Sequence, residues 1–155
     1  MKIIIVSGGF DPLHIGHMNY LIEAKKLGDE LIIIVNNDNW LISKKGYVFM
    51  PQGERRQLLE KIFPYACIVI STHEQGNKDM SINKDLKDVY DAIHDAGEEE
   101  KQLHHIFLVN GGDRAADNIP ELELCKELGI ETVFGVGGGK IQSSSELVKN
   151  AREYA

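Results

Sequence analysis

The segment Gly8-Gly9-Phe10-Asp11-Pro12-Leu13-His14-Ile15-Gly16-His17 follows directly on the apolar run Ile3-Ile4-Ile5-Val6 and settles the architecture to expect. Four β-branched residues in a row read as a buried strand. The two glycines end it in a tight turn, and a helix opens at about His14. A helix start leaves backbone N–H groups without intrahelical partners, and an anion such as phosphate is their natural occupant. Two imidazoles, His14 and His17, stand at that point. Gly16 between them lets the backbone approach a ligand with no Cβ in the way. Histidines that share a metal from one helix usually stand four apart, as in HExxH, so this spacing of three does not predict a metal site.

Outward from this junction, strands alternate with helices along the whole chain. Apolar runs predict strands over 3–6, 30–35, 66–71, 106–109 and 131–136. Periods near 3.6 predict helices over 14–27, 52–63, 82–96, 120–128 and 144–154. Residues 36–46 read as a polar loop, and 72–105, with the acidic run Glu98-Glu99-Glu100, as an insertion or a long crossover. The expected fold is α/β: a doubly wound, Rossmann-like, five-stranded parallel sheet with helices on both faces, in a single domain over 1–155. Ligands of such sheets sit beyond the carboxyl ends of the strands. Gly8-Gly9, Gly111-Gly112 and Gly137-Gly138-Gly139 all fall at those ends. The dinucleotide fingerprint GxGxxG is not met by Ser7-Gly8-Gly9-Phe10-Asp11, and no ribose-binding acid follows the second strand, which disfavours a dehydrogenase.

Composition narrows the partners. The 155 residues, 43% of them hydrophobic, suffice for one core. Cys67 and Cys125 lie far apart without a CxxC, which argues against a disulfide scaffold and a structural zinc site. No stretch reaches the roughly 18 apolar residues of a membrane span, and Met1-Lys2 leads straight into a strand, so a cytoplasmic protein with no membrane partner is expected. With 24 acidic against 17 basic side chains the net charge is −7, and aromatic residues are not interleaved with basic ones, which excludes nucleic acid as the partner. A local cationic pocket for a small phosphorylated substrate is compatible with that charge.

GGFDPLHIGH resembles the GxFDxxHxGH motif of the cytidylyltransferase-like nucleotidyltransferases, which include glycerol-phosphate cytidylyltransferases and heptose-phosphate adenylyltransferases. The resemblance implies transfer of CMP or AMP from CTP or ATP to a phosphorylated polyol or sugar with release of pyrophosphate. It also implies Mg²⁺ bound with the triphosphate and a homodimer. His14 and His17 would donate to phosphoryl oxygens, with Gly8, Gly9, Phe10, Asp11 and Gly16 lining the nucleotide. A lysine after the second strand is implied to reach phosphate. Lys44, as a catalytic group, and Lys45, on the acceptor phosphate, both fall there, and which of them makes the contact is open.

Gly53-Glu54-Arg55-Arg56 resembles the family's arginine-bearing helix start, with Arg56 the better match for an acceptor phosphate. Asn110-Gly111-Gly112-Asp113-Arg114 resembles the GGD segment, assigning Gly112 and Asp113 to the nucleotide, and 117–121 resembles DNxPE. The third family signature, RTxGISTT, is altered: the run 137–146 keeps Ser143, Ser144 and Ser145 for the β- and γ-phosphates but lacks the arginine, whose charge Lys140 would supply. Ser143 and Glu146 also satisfy a helix capping box. This alteration leaves CTP and ATP open. It also motivates an alternative, a nucleotide-binding sensor of the same fold without turnover.

Overall fold

Ile3 to Val6 are 4% exposed or less in a computed structural model of the chain, as the middle of strand β1 (Lys2–Gly8). The structure describes residues 1–95, 104–112, 114 and 118–154. β1 is central: it pairs in parallel with β2 (Glu30–Val35) on one edge and β4 (His105–Gly111) on the other. β3 (Cys67–Ile70) lies outside β2 and β5 (Glu131–Val136) outside β4, giving the all-parallel order β3-β2-β1-β4-β5. Strands covered on both faces read as unbroken apolar runs, which is why 3–6 and 31–35 mark the centre of the sheet. Parallel neighbours require crossovers, supplied here by α1 (Ile15–Lys25), α2 (Asp38–Lys45) and α3 (Gln52–Ile62), then α4 (Asn83–Asp95) and α5 (Leu122–Leu128), while α6 (Ser144–Glu153) follows β5.

Successive side chains of β1 enter different cores. Ile4 and Val6 pack with Leu21 and Ala24 of α1 and with Leu59 of α3, while Ile3 and Ile5 pack with Leu86 and Val89 of α4 and Cys125 of α5. Helices therefore cover both faces of a doubly wound sheet. The winding reverses between β1 and β4, and that reversal leaves a crevice beyond the carboxyl ends of these two strands.

One element differs from the expectation drawn from sequence. Residues 38–45, expected in a polar loop, form α2. Asn37 Oδ1 accepts the Trp40 N–H at 3.0 Å and caps the helix start. Gly46, at φ 82°, closes it with its N–H on the Ile42 carbonyl at 2.9 Å. The density of Asn and Asp had argued for a loop, yet Asn37 alone acts as the cap. Lys44 and Lys45 thereby stand in the last turn of a helix, where its dipole favours cations.

In the 72–105 region, α4 lies against the sheet between β3 and β4 in sequence, and residues 72–82 are tied down in front of it. Trp40 Nε1 donates to the Met80 carbonyl at 3.0 Å, and Thr72 donates through N and Oγ1 to Asp85 Oδ1 at 3.0 and 2.8 Å. The acidic run 98–100 lies outside the described residues. At the opposite edge, the stretch between the pairs Val109–Val133 and Gly111–Val136 holds one more residue on β5 than on β4, a bulge that coincides with Gly135 at φ 72°. The strand beyond the bulge comes against α1. A Cβ on Gly137 would stand 2.8 Å from Tyr20 Cα.

Candidate active site

The crevice holds a cavity of about 670 Å³. Its floor is the end of β1 with Gly8 and Phe10, and its walls are the start of α1, the end of α2, the Gly111-Gly112 turn and the 137–145 segment that opens α6.

At the start of α1 the two histidines cap each other's helix end. His14 Nδ1 accepts the Gly16 N–H at 3.0 Å and the His17 N–H at 3.4 Å, while His17 Nδ1 accepts the His14 N–H at 3.3 Å. This is a capping box built from imidazoles in place of hydroxyl and carboxylate. An Nδ1 that accepts carries no proton, so the network assigns both neutral rings the Nε2–H tautomer. Each Nε2 is left as a donor on a ring that lines the cavity.

The rings stack with centroids 3.7 Å apart and planes 17° from parallel. Gly16 is required beside them, because a Cβ there would lie 2.9 Å from His14 Cε1. Burial first, then the His14 and Lys45 charges, lowers the His17 pKa to about 3. Burial, with Lys45 and Lys140, lowers that of His14 as well. Both rings are thus donors that stay uncharged near neutral pH.

Cations surround this pair. Lys44, Lys45, Arg114 and Lys140 line the cavity, and among its described residues Glu121 is the one carboxylate. Lys44 is exposed, whereas Lys45 is half-buried. Burial, then the Arg55 and Lys140 charges, holds the Lys45 ammonium below the usual lysine value against the pull of Asp11. Such a cluster of like charges favours an incoming polyanion. Opposite the histidines, the start of α6 is pinned to the first turn by Ser144 Oγ, which donates to the Pro12 carbonyl at 2.8 Å.

Of the residues singled out from sequence, the structure brings Gly8, Phe10, His14, Gly16, His17, Lys44, Lys45, Gly112, Lys140, Ser143, Ser144 and Ser145 to this one cavity. Three lie elsewhere. Asp11 is wholly buried and spends its carboxylate on the N–H groups of Phe49 and Met50 at 2.6 and 2.5 Å, which corrects its reading as a nucleotide ligand. Gly9 lies behind the cavity wall, its carbonyl accepting from Arg55 and its Cα facing Leu41. Arg56 points outward and pairs with Glu60 at 2.7 Å, one turn on, so its reading as a phosphate ligand is corrected too. Asp113 and Asp117 lie outside the described residues. The Ser143–Glu146 capping box is half formed: Ser143 Oγ accepts the Glu146 N–H at 3.4 Å, but Gln142 Oε1 takes the Ser143 N–H at 2.9 Å.

Arg55 is the residue that sequence reasoning passed over. Its side chain is wholly buried and donates to the carbonyls of Gly9, Asn36 and Met50 and to Asp38 Oδ1, at 2.6 to 2.8 Å. It binds the ends of β1 and β2 to α2 and so holds the cavity floor. One of two adjacent arginines at a helix start had to face inward, and the apolar period of α3, with Leu59 four residues on, was the available signal. Tyr20 was also missed. Its hydroxyl donates to the Val109 carbonyl, and burial raises its pKa well above the usual phenol value.

The chain is similar to several known proteins. The cytidylyltransferase-like family model matches residues 5–137. An FAD synthase of Aciduliprofundum boonei is 30% identical over 128 residues, 83% of this chain and 72% of that protein. Another, of Pyrococcus abyssi, is 39% identical over 85 residues, 54% of this chain and 56% of that protein, and the chain spans about half the length of several such curated relatives. Among solved structures, a lipopolysaccharide core biosynthesis protein of Thermoplasma volcanium superposes with a TM-score of 0.57 at 26% identity, covering 87% of this chain and 94% of that one. With its parallel sheet, its paired imidazoles at the first crossover and these matches, the chain belongs to the cytidylyltransferase-like family of nucleotidyltransferases.

Proposed function

We propose that this protein moves a nucleotidyl group, CMP or AMP, from CTP or ATP to a phosphorylated small-molecule acceptor, a polyol or sugar phosphate. An acceptor phosphate oxygen attacks the α-phosphorus, a new O–P bond forms, the bond to the β-phosphate oxygen breaks, and pyrophosphate leaves. Such a reaction needs no covalent enzyme intermediate. Positioning and charge neutralisation carry it, so the protein must supply donors rather than a nucleophile.

The observation that carries this reading is the reciprocal capping of His14 and His17, which fixes two uncharged Nε2–H donors beside Lys45 and Lys140 in one cavity. In this reading the imidazoles donate to the phosphoryl oxygens at the reacting centre. Lys45 is the lysine that reaches phosphate at the seat of transfer, with Lys44 at the more open rim. Lys140 and the start of α6, with Ser143 and Ser145, hold the β- and γ-phosphates, and Gly112 lies along the nucleoside. Mg²⁺ would enter with the triphosphate as part of the substrate. The donor set suits that, because the cavity presents cations to the triphosphate's oxygen atoms. A cytoplasmic homodimer is the assembly we expect.

A second reading of the acceptor, FMN, is favoured by the relatives that bear the name FAD synthase. Pyrophosphate release separates the readings when CTP and ATP are each paired with glycerol 3-phosphate, sugar phosphates and FMN. Replacing His17 with alanine should lower kcat about a hundredfold or more, by analogy with loss of an oxyanion donor, with the folded state retained. Normal turnover by that variant would remove His17 from the mechanism. Tight triphosphate binding without pyrophosphate release from any pair would favour a sensor.

A further inference from the structure

Among the described residues other than glycine, Phe10 alone holds a positive φ, of 52°. A left-handed backbone is costly for any residue with a Cβ, and for a bulky one it is a genuine outlier. Two glycines stand directly before Phe10, yet neither takes the left-handed conformation. The strain is held from both sides. Arg55 Nη1 donates to the Gly9 carbonyl at 2.7 Å, and the N–H groups of Phe49 and Met50 donate to the Asp11 carboxylate. An unfavourable conformation clamped in this way marks a side chain that must point in one direction.

That direction is toward Gly8 and His17. Phe10 is 2% exposed, so its ring offers almost no surface to a nucleotide. A Cβ on Gly8 would stand 3.0, 3.2 and 3.3 Å from three atoms of the ring, which therefore lies on the bare backbone of Gly8. From there it meets the His17 imidazole, with centroids 5.0 Å apart and planes 73° from parallel. His17 thus touches two rings, stacked on His14 and near-perpendicular to Phe10. The hydrogen bond that His17 Nδ1 accepts from the His14 N–H is long, at 3.3 Å, and holds the imidazole loosely by itself. A ring stacked on one neighbour can still tilt and slide along it, and a second ring set across it blocks that movement.

We infer that Phe10 is a positioning residue: its ring fixes the plane in which His17 Nδ1 accepts the His14 N–H and Nε2 keeps the proton. The inference rests on the reading of that Nε2–H as a donor to phosphoryl oxygens, and it adds what holds the donor still. Phe10 acts through His17 and not by touching the nucleotide.

The test compares Phe10→Leu and Phe10→Met, which fill the space without a ring, with Phe63→Leu. Phe63 is also 2% exposed and belongs to the same core cluster, but it stands outside the cavity lining, so it reports the loss of a core ring as such. Long-range nitrogen–proton NMR spectra of the full chain near neutral pH should show His17 as the Nε2–H tautomer in the wild type and in Phe63→Leu. In the Phe10 variants its signals should move to a mixture of tautomers. Pyrophosphate release is measured with CTP or ATP paired with glycerol 3-phosphate, ribose 5-phosphate or FMN. The Phe10 variants should lose about tenfold or more in kcat, with the KM for the triphosphate within about twofold of wild type. Thermal stabilisation by CTP or ATP reports that each variant folds and binds.

Wild-type His17 signals or wild-type kcat in a folded Phe10 variant would overturn the inference. So would equal changes in Phe63→Leu, which would reduce Phe10 to a core ring like any other. Both outcomes leave nucleotidyl transfer standing. A mixture of tautomers in the wild type would overturn the inference without any variant. Were no acceptor turned over, the transfer reading would fail, and the spectra alone would decide: a tautomer lost in the Phe10 variants and kept in Phe63→Leu supports the positioning role, and one kept in all of them overturns it.

Discussion

The surroundings of His17 keep its ring uncharged and leave Nε2–H as a donor. The ring is largely withdrawn from water, stacked on a second imidazole and close to Lys45. Its folded pKa of about 3 lies below the ordinary 6.5, so between those values the unfolded chain takes up a proton that the folded chain refuses. Stability from this group is complete above about pH 6.5 and is lost as the pH falls toward 3. Thermal melts should show a flat Tm above neutrality and a decline through that window, shallower in His17→Asn. For the same reason kcat/KM should show no acid limb near pH 6.5 from His17, since its ring takes up a proton only at far lower pH.

At the scale of elements, the neighbours Arg55 and Arg56, one buried and one exposed on α3, should behave as opposites. Arg55→Ala would strip three backbone carbonyls and Asp38 of their donor in a dry site, so urea titration should read a loss of about 3 kcal/mol or more. Arg56→Ala removes an exposed pair with Glu60, and the same titration should move by about 0.5 kcal/mol or less.

The turn between β5 and α6 offers a similar contrast. Gly137 and Gly138 share positive φ, 86° and 83°, but only at Gly137 would a Cβ meet a backbone, that of α1 at 2.8 Å. Gly138→Ala should cost about 1 kcal/mol from backbone conformation alone, and Gly137→Ala distinctly more, with weakened triphosphate stabilisation because the cavity wall itself must shift.

Across the whole molecule, a chain of net charge −7 gathers cations at one mouth of its sheet. Affinity for CTP or ATP should therefore fall as salt rises from about 0.1 M to 0.5 M, where screening shortens to a few ångströms, while Tm without ligand changes little; titration calorimetry at the two salts reads it. Affinity independent of salt would argue that the cavity's charges do not face the phosphates.

The sheet was legible in the chain because burial on both faces writes itself as unbroken apolar runs, and the Gly8–His17 segment was legible because its chemistry is local: turn, cap and donors lie within ten residues. By itself the sequence thus determined the parallel α/β fold, the crevice at the first crossover and the histidine pair in it. Only the tertiary structure decided between Arg55 and Arg56, moved Asp11 from ligand to scaffold and turned a polar loop into α2. The physical reason is common to all of these. Whether a polar side chain serves a ligand or the backbone depends on which unpaired groups the folded chain sets within about 3 Å of it, and those groups come from other elements.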